Sequence, residues 1–272
     1  MSGAWAGLPP GPVVMGILNV TPDSFSDGGL HLTADRAIAA GRRMIDEGAG
    51  ILDVGGESTR PGAAATPPEE ERRRILPVVA ALAGAGAIVS VDTRDAVTMA
   101  AALDAGATII NDVSALQHDP ASLGLVAARG CPVVLMHMRG TPATMNGLTL
   151  YSDVVAEVTK ELAARIAAAA TVGVQHGNIA IDPGIGFAKT RAQDIELLQG
   201  LPGLMALNCP ILVGVSRKRL IGALSGVANP AERVAGSVAA GLFALSRGAR
   251  ILRVHDVAAT VQAMRVWQAL QG

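Results

Sequence analysis

The sequence predicts an α/β fold, a single (β/α)8 barrel, on three observations. Its first apolar run, Val13 to Leu18, is short enough for a buried strand and ends at Asn19 in a loop dense in polar groups. A helix-end, glycine, short-apolar-strand pattern recurs at Glu47–Asp53, Ala105–Asn111, Arg129–Leu135 and Arg247–Arg253. Eight such strand segments fit in 272 residues, the size expected of one barrel domain spanning 1–272, with 1–12 as a flexible N-terminal segment. A doubly wound open sheet is the competing architecture. The Gly-x-Gly-x-x-Gly turn that such a sheet places after its first strand is missing.

Taken in order, the strands are expected at 13–19, 51–55, 88–92, 108–111, 132–137, 179–182, 211–215 and 251–255. Between them run helical segments. Thr33–Glu47 is capped by Thr33 and carries Ile38, Met44 and Ile45 on one side. The next helix opens at Pro67-Pro68 with three acids in its first turn, where the helix dipole favours negative charge. Asp95–Asp104, Ala121–Arg129, Ser152–Val172, Ala192–Gly200, Ala231–Arg247 and Val257–Leu270 complete the set. Strands alternating with helices imply parallel pairing through right-handed crossovers.

Composition narrows the function. Half the residues are hydrophobic, 17% are charged and the net charge is -1, which argues against a nucleic-acid partner. Cys131 and Cys209 each precede a proline at the start of a strand and read as buried thiols of a reducing compartment. No signal peptide or membrane-spanning run is evident, so the expected location is cytoplasmic. Zinc is not expected, because the histidines and cysteines lack ligand spacing.

Every strand hands a polar side chain to the same rim: Asn19, Asp53, Asp92, Asn111-Asp112, Met136-His137, Asp182, Ser216-Arg217-Lys218 and Arg253-Val254-His255-Asp256. In a parallel barrel that rim carries the chemistry. Asp92, Asn111 and Asp182 suit a planar heterocycle rich in N–H groups. Asn19, Arg60, Arg253 and His255 suit an anion, best a phosphate accompanied by a hard cation. Two of three lysines, Lys189 and Lys218, follow strands six and seven, and two of three phenylalanines, Phe25 and Phe187, lie in rim loops. Aromatics placed there point to a flat or aromatic substrate.

The ordered motifs NVTPDSFSDGG, DVGGESTRPGA, SVDTR, INDVSA, LMHMRGTP, DPGIGFAKT, GVSRKRLIG and RVHD carry a resemblance that runs from Val13 to the C-terminus. Together they resemble the dihydropteroate synthase family, pterin-binding TIM-barrel enzymes of folate biosynthesis and targets of sulfonamides. The resemblance implies condensation of 6-hydroxymethyl-7,8-dihydropterin pyrophosphate with 4-aminobenzoate, with Mg²⁺ and release of pyrophosphate. It also implies a homodimer, for which the small-residue helix 231–247 supplies a face. By matching motif, the pterin would meet Asp92, Asn111, Met136, Asp182 and Lys218, with Arg253 stacked on the ring. Pyrophosphate would meet Asn19, Arg60, Arg253 and His255, with Asn19 also on the metal. Aminobenzoate would meet Phe25, Thr59, Pro61, Phe187, Ser216 and Lys218. Asp27, Lys218, Arg253 and His255 form the catalytic set the resemblance implies, with Asp27 sheltering a cation at the pterin methylene.

No enzyme nucleophile is evident, and an electron-rich pterin can support an adjacent carbocation, so a dissociative displacement is expected. Three other readings share parts of the pattern. A pterin-binding methyltransferase would keep the Asp/Asn pocket without the anion site, and a paralogue would bind pterin without turnover. A Schiff-base aldolase would use Lys218, its pKa lowered by Arg217 and Arg219.

Overall fold

The computed structural model describes residues 5, 8, 10–21, 30–57 and 66–271, with the side chains of 30–32 not described. Eight parallel strands form one sheet in the order β6-β5-β4-β3-β2-β1-β8-β7. They are β1 (Val13–Asn19), β2 (Ile51–Gly55), β3 (Val89–Asp92), β4 (Ile109–Asp112), β5 (Val133–Met136), β6 (Ile179–Asp182), β7 (Leu212–Val213) and β8 (Ile251–Val254). A parallel bridge between Ile181 and Ile211 joins the two outer strands. The Ile181 N–H also donates to the Pro210 carbonyl at 2.9 Å, so the sheet closes on itself as a barrel and leaves no open edge. β7 is shorter than the expected 211–215, because Ile211 serves the closing bridge and the chain turns away after Val213.

Among the described residues, ten helices accompany the strands: α1 (Leu30–Asp46), α2 (Pro68–Gly84), α3 (Ala96–Asp104), α4 (Ser122–Arg129), α5 (Val154–Thr171), α6 (Arg191–Gln199), α7 (Leu201–Leu204), α8 (Arg219–Ser225), α9 (Val234–Ser246) and α10 (Val257–Gln271). Start signals are visible in several. Asp95 and Asp153 accept from the backbone N–H three residues on, and Thr190 with Gln193 forms a reciprocal capping box. The expected cap at Thr33 is corrected: α1 already begins at Leu30, so Thr33 lies inside its first turn. Nothing in Leu30-His31-Leu32 resists helix, and propensity carries the start upstream. α7 and α8 are short helices that strand periodicity alone does not announce. Gly48, Gly106, Gly130 and Gly248, expected to reverse the chain after a helix, all have positive φ.

Alternation along the strands sorts the barrel into layers. Val13, Met15, Ile51, Ile109, Val134, Ala180, Leu212 and Ile251 form one buried cluster that is the barrel floor. Trp5 and Leu8 join it, and the Trp5 indole N–H donates to the Asn178 carbonyl at 2.8 Å. Two residues beyond the floor residues of β2, β4, β5, β6, β7 and β8, the same inward face presents Asp53, Asn111, Met136, Asp182, Gly214 and Arg253. The outward set packs on the helices, with Leu18, Leu52, Val54, Val89 and Val91 against α1 and α2, and Val133, Leu135, Ile179, Ile181 and Val254 elsewhere around the ring. The helices thus fix each strand's register, and register decides which polar side chains converge above the floor.

Candidate active site

Above the apolar floor, a lattice of charge spans the barrel. Arg253, from β8, donates through Nε to Asp53 Oδ2 at 2.6 Å and through Nη2 to Asp92 Oδ2 at 2.7 Å. Asn111 Nδ2 donates to the same Asp53 oxygen at 3.0 Å, and Ser90 Oγ donates to Asp53 Oδ1 at 2.6 Å. Asp53 is completely buried and takes three side-chain donors from three other strands. Sequence reasoning noted it at a strand end but gave it no place in the site. The available signal was the alternation itself, which sets Asp53 two residues above Ile51 of the floor.

The electrostatics follow from burial. Burial alone would lower the Arg253 guanidinium, but the charges of Asp53 and Asp92 more than reverse this and raise it. Burial pushes Asp92 up to about 7, against the pull of Arg253 and with help from the neighbouring Asp53 charge. Asp182 is raised by burial and held back by Lys218, while burial lowers Lys218 against the pull of Asp182 and Asp194. Three carboxylates, Asp53, Asp92 and Asp182, thus face two cations, Arg253 and Lys218. A buried cluster with more negative than positive groups favours an incoming positive charge. The lowering of Lys218 comes from burial first and then from Arg253, against the pull of Asp182 and Asp194, and not from Arg217 and Arg219; Arg217 is itself paired with Asp256.

The other groups arrange around this lattice. Asp182 Oδ1 accepts the Gly184 N–H at 2.7 Å, tying the end of β6 to its loop. Met136 lies buried at the end of β5, next to Asp182 in register. Lys218 donates to the Ile185 carbonyl and stands over the Phe187 ring, 4.8 Å from its centroid. The Ser216 hydroxyl accepts the His255 N–H at 3.1 Å and lies 3.0 Å from His255 Nδ1, joining the ends of β7 and β8. Asp112, the other half of the Asn111-Asp112 pair, has a structural task. Its carboxylate accepts the Ser114 and Leu116 N–H groups, supporting a turn in which Ala115 and Leu116 have positive φ.

Asn19 is half-buried at the tip of β1, beside Gly55. A Cβ on Gly55 would stand 3.5 Å from Asp92 Cβ and 3.8 Å from both Asn19 Oδ1 and Asp92 Oδ2, so two hard oxygen atoms lie close together beside this glycine. That donor set suits a hard cation that keeps most of its shell from phosphate and water. No group of three or more His, Cys, Asp or Glu side chains suited to a metal occurs among the described residues. Phe25, Asp27, Thr59, Arg60 and Pro61 lie outside the described residues. Of the expected site residues, the structure therefore gathers Asn19, Asp92, Asn111, Met136, Asp182, Phe187, Ser216, Lys218, Arg253 and His255 at the C-terminal ends of the strands. Both cysteines are buried.

A second buried network lies behind the β6 loop. Lys189 Nζ donates to the carbonyls of Gly184 at 3.1 Å and Phe187 at 3.0 Å and approaches His137 Nδ1 at 3.0 Å. His137 Nε2 is 3.0 Å from Glu161 Oε2, and Arg139 bonds to both Glu157 and Glu161 while lying over the Tyr151 ring. Burial lowers Lys189 to about 7 and His137 to about 4.

Comparison with known proteins agrees with this geometry. Residues 15–255 match the pterin binding enzyme family. The chain is 50% identical to the dihydropteroate synthase of Neisseria meningitidis serogroup B over 264 residues, covering 95% of this chain and 93% of that protein. A structure of Xanthomonas albilineans dihydropteroate synthase with 4-aminobenzoic acid superposes with a TM-score of 0.92 at 54% identity, over 97% of this chain and 94% of that one. The same enzyme in complex with 7,8-dihydropteroate gives a TM-score of 0.88 at 51% identity, over 97% and 95% of the two chains.

Asp53 is expected to hold the lattice together. Asp53→Asn keeps the shape but turns one acceptor oxygen into a donor that faces other donors. Breaking a buried ion pair on one side typically costs about 3–5 kcal/mol. Equilibrium denaturation should show a loss of that order, and an unchanged midpoint would mean that Arg253 is held by other groups.

Proposed function

The chain belongs to the pterin-binding enzyme family, and from that premise we infer its reaction. It transfers the pterin-methyl group of 6-hydroxymethyl-7,8-dihydropterin pyrophosphate to the amine of 4-aminobenzoate, giving 7,8-dihydropteroate and pyrophosphate. The observation that carries the reading is the lattice of Arg253, Asp53, Asp92 and Asn111 at the mouth. It sits in a chain closely similar to enzymes solved with 4-aminobenzoic acid and with 7,8-dihydropteroate.

In this reading the heterocycle enters above Met136 and lays its N–H groups against Asp182 and Asp92, with Asn111 completing the edge. The Gly184 N–H occupies one oxygen of Asp182, which leaves the other for the pterin. The Arg253 guanidinium, already fixed at two points, covers the ring and also meets the pyrophosphate. Asn19, Arg60 and His255 hold the remaining phosphate oxygens. Lys218 and Phe187, already stacked, take the aminobenzoate carboxylate and ring, with Ser216, Phe25, Thr59 and Pro61 around them. Sulfonamides, which share the aniline end of that substrate, would occupy the same place.

The bond order follows from what these residues supply. The C–O bond to pyrophosphate breaks first, and its electron pair leaves with the pyrophosphate, whose growing charge the Arg60, Arg253 and His255 side chains offset. The pterin-methyl cation left behind sits among the carboxylates of Asp92 and Asp182, with Asp27 sheltering it from water. The amine lone pair then forms the C–N bond and the nitrogen releases one proton. Binding in line replaces an encounter in solution. A Mg²⁺ ion, held by Asn19 and the pyrophosphate, would neutralise leaving-group charge when bound.

The active form in this reading is a homodimer. α6, α8 and α9 leave an apolar groove of about 370 Å³, lined by Leu198, Leu220, Leu224, Ala240 and Phe243. Gly236 and Ala239 of α9 add small residues to its lining, so the backbone of α9 is open to close approach by a second copy. Leu224 is 61% exposed and Phe243 beside it is 37% exposed, so the groove offers contiguous apolar surface to a second copy.

Two measurements check these points. The protein, mixed with the pterin pyrophosphate, 4-aminobenzoate and Mg²⁺, should form dihydropteroate. Chelation should abolish the product and added Mg²⁺ restore it; full turnover in exhaustively chelated buffer would remove the metal from the account, and no product with Mg²⁺ present would remove the reaction. Leu224→Asp should shift sedimentation from dimer to monomer, whereas a wild type that already sediments as a monomer would contradict the assembly.

A further inference from the structure

The loop after β6 carries Phe187 and is held in an unfavourable backbone shape. Gly184 and Gly186 have positive φ, and so does Ala188, a residue with a side chain, at 49°. Gly184 cannot be replaced cheaply, because a Cβ there would stand 2.0 Å from the His137 carbonyl oxygen. Such a shape persists only where its surroundings over-determine it. Asp182 and Asp194 accept the N–H groups of Gly184 and Gly186, both at 2.7 Å. The Phe187 N–H donates to the Gly184 carbonyl at 3.0 Å, and two lysines add side-chain anchors: Lys218 on the Ile185 carbonyl and Lys189 on the carbonyls of Gly184 and Phe187.

Lys189 differs from Lys218 in facing away from the mouth. Its side chain is buried, and its third neighbour is His137 Nδ1 at 3.0 Å. An ammonium has three protons and no acceptor, so three acceptors satisfy it fully. His137 then accepts at Nδ1 and carries its proton on Nε2, donated to Glu161. Arg139, pinned to Glu157, Glu161 and the Leu150 carbonyl, fixes that carboxylate in turn. A chain of single-direction bonds therefore runs from α5, through β5, to the backbone of the β6 loop.

We propose that Lys189 is a positioning residue for aminobenzoate: seated on His137, it locks the β6 loop so that the Phe187 ring faces Lys218. The inference rests on the reaction proposed above. Lys189 does not touch substrate in this arrangement; it acts through Phe187 and the Gly184 turn. Burial opposes its charge most, as does Lys218, while Asp194, Asp182 and Glu161 support it.

Lys189→Met keeps the length and removes all three donors. The variant should raise the 4-aminobenzoate KM by about tenfold or more while leaving the affinity for the pterin pyrophosphate within about twofold, read by calorimetry. An unchanged aminobenzoate KM, or a parallel loss of pterin affinity, would overturn the positioning role. A second measurement needs neither turnover nor a variant. Histidine ¹⁵N resonances of the wild-type protein near pH 6 should show His137 neutral, with Nδ1 bare and Nε2 protonated. A proton on Nδ1 would sink the proposal even if Lys189→Met fails to fold. Failure of the wild type to form dihydropteroate would instead count against the reaction, leaving the histidine result to decide the staple.

Discussion

One guanidinium held between two buried carboxylates organises the mouth of this barrel. Arg253 bridges Asp53 and Asp92, from strands that lie on the far side of β1 from its own. Long flexible cations lose much conformational entropy on ordering, and buried ones lose hydration as well. Asp53 makes the arrangement tolerable because Ser90 and Asn111 satisfy its remaining lone pairs. The lattice stands on an apolar floor that includes Trp5 and Leu8. A packed foundation lets the upper groups keep their directions.

The arrangement also explains why the cluster has more carboxylates than cations. An isolated excess negative charge in a buried site is costly, and burial accordingly raises Asp92 and Asp182. The cost turns into stabilisation once a positive charge develops between them. Of the groups proposed to meet the departing anion, Arg253 is itself bonded to Asp53 and Asp92, so the same guanidinium ties the carboxylates to the anion side of the site.

Much of this was legible in the sequence, for a physical reason. A parallel barrel alternates inward and outward residues with a period of two, and buries both faces, so its strands read as short apolar runs that end in polar residues. All eight strands announce themselves that way, and the glycines after α1, α3, α4 and α9 mark where the chain turns back. The start of α1 did not show, because Thr33 is as acceptable within a first turn as before it. Asp53 was visible but unvalued: being one layer below the rim is a matter of register, which appears only when β2 is paired with β3. Lys189 stood out as scarce, yet its partner His137 lies 52 residues away, and no local pattern joins them.

In the proposed reaction these fixed charges let the pyrophosphate leave before the amine arrives. Positional isotope exchange tests it most directly: label the bridging oxygen of the pterin pyrophosphate with ¹⁸O, incubate with protein and Mg²⁺ but no aminobenzoate, and recover the substrate. Bond cleavage and return through a pterin-methyl cation predicts label in non-bridging positions. If bound pyrophosphate rotates freely and the label stays in the bridge, the cation does not form ahead of attack and the displacement is concerted.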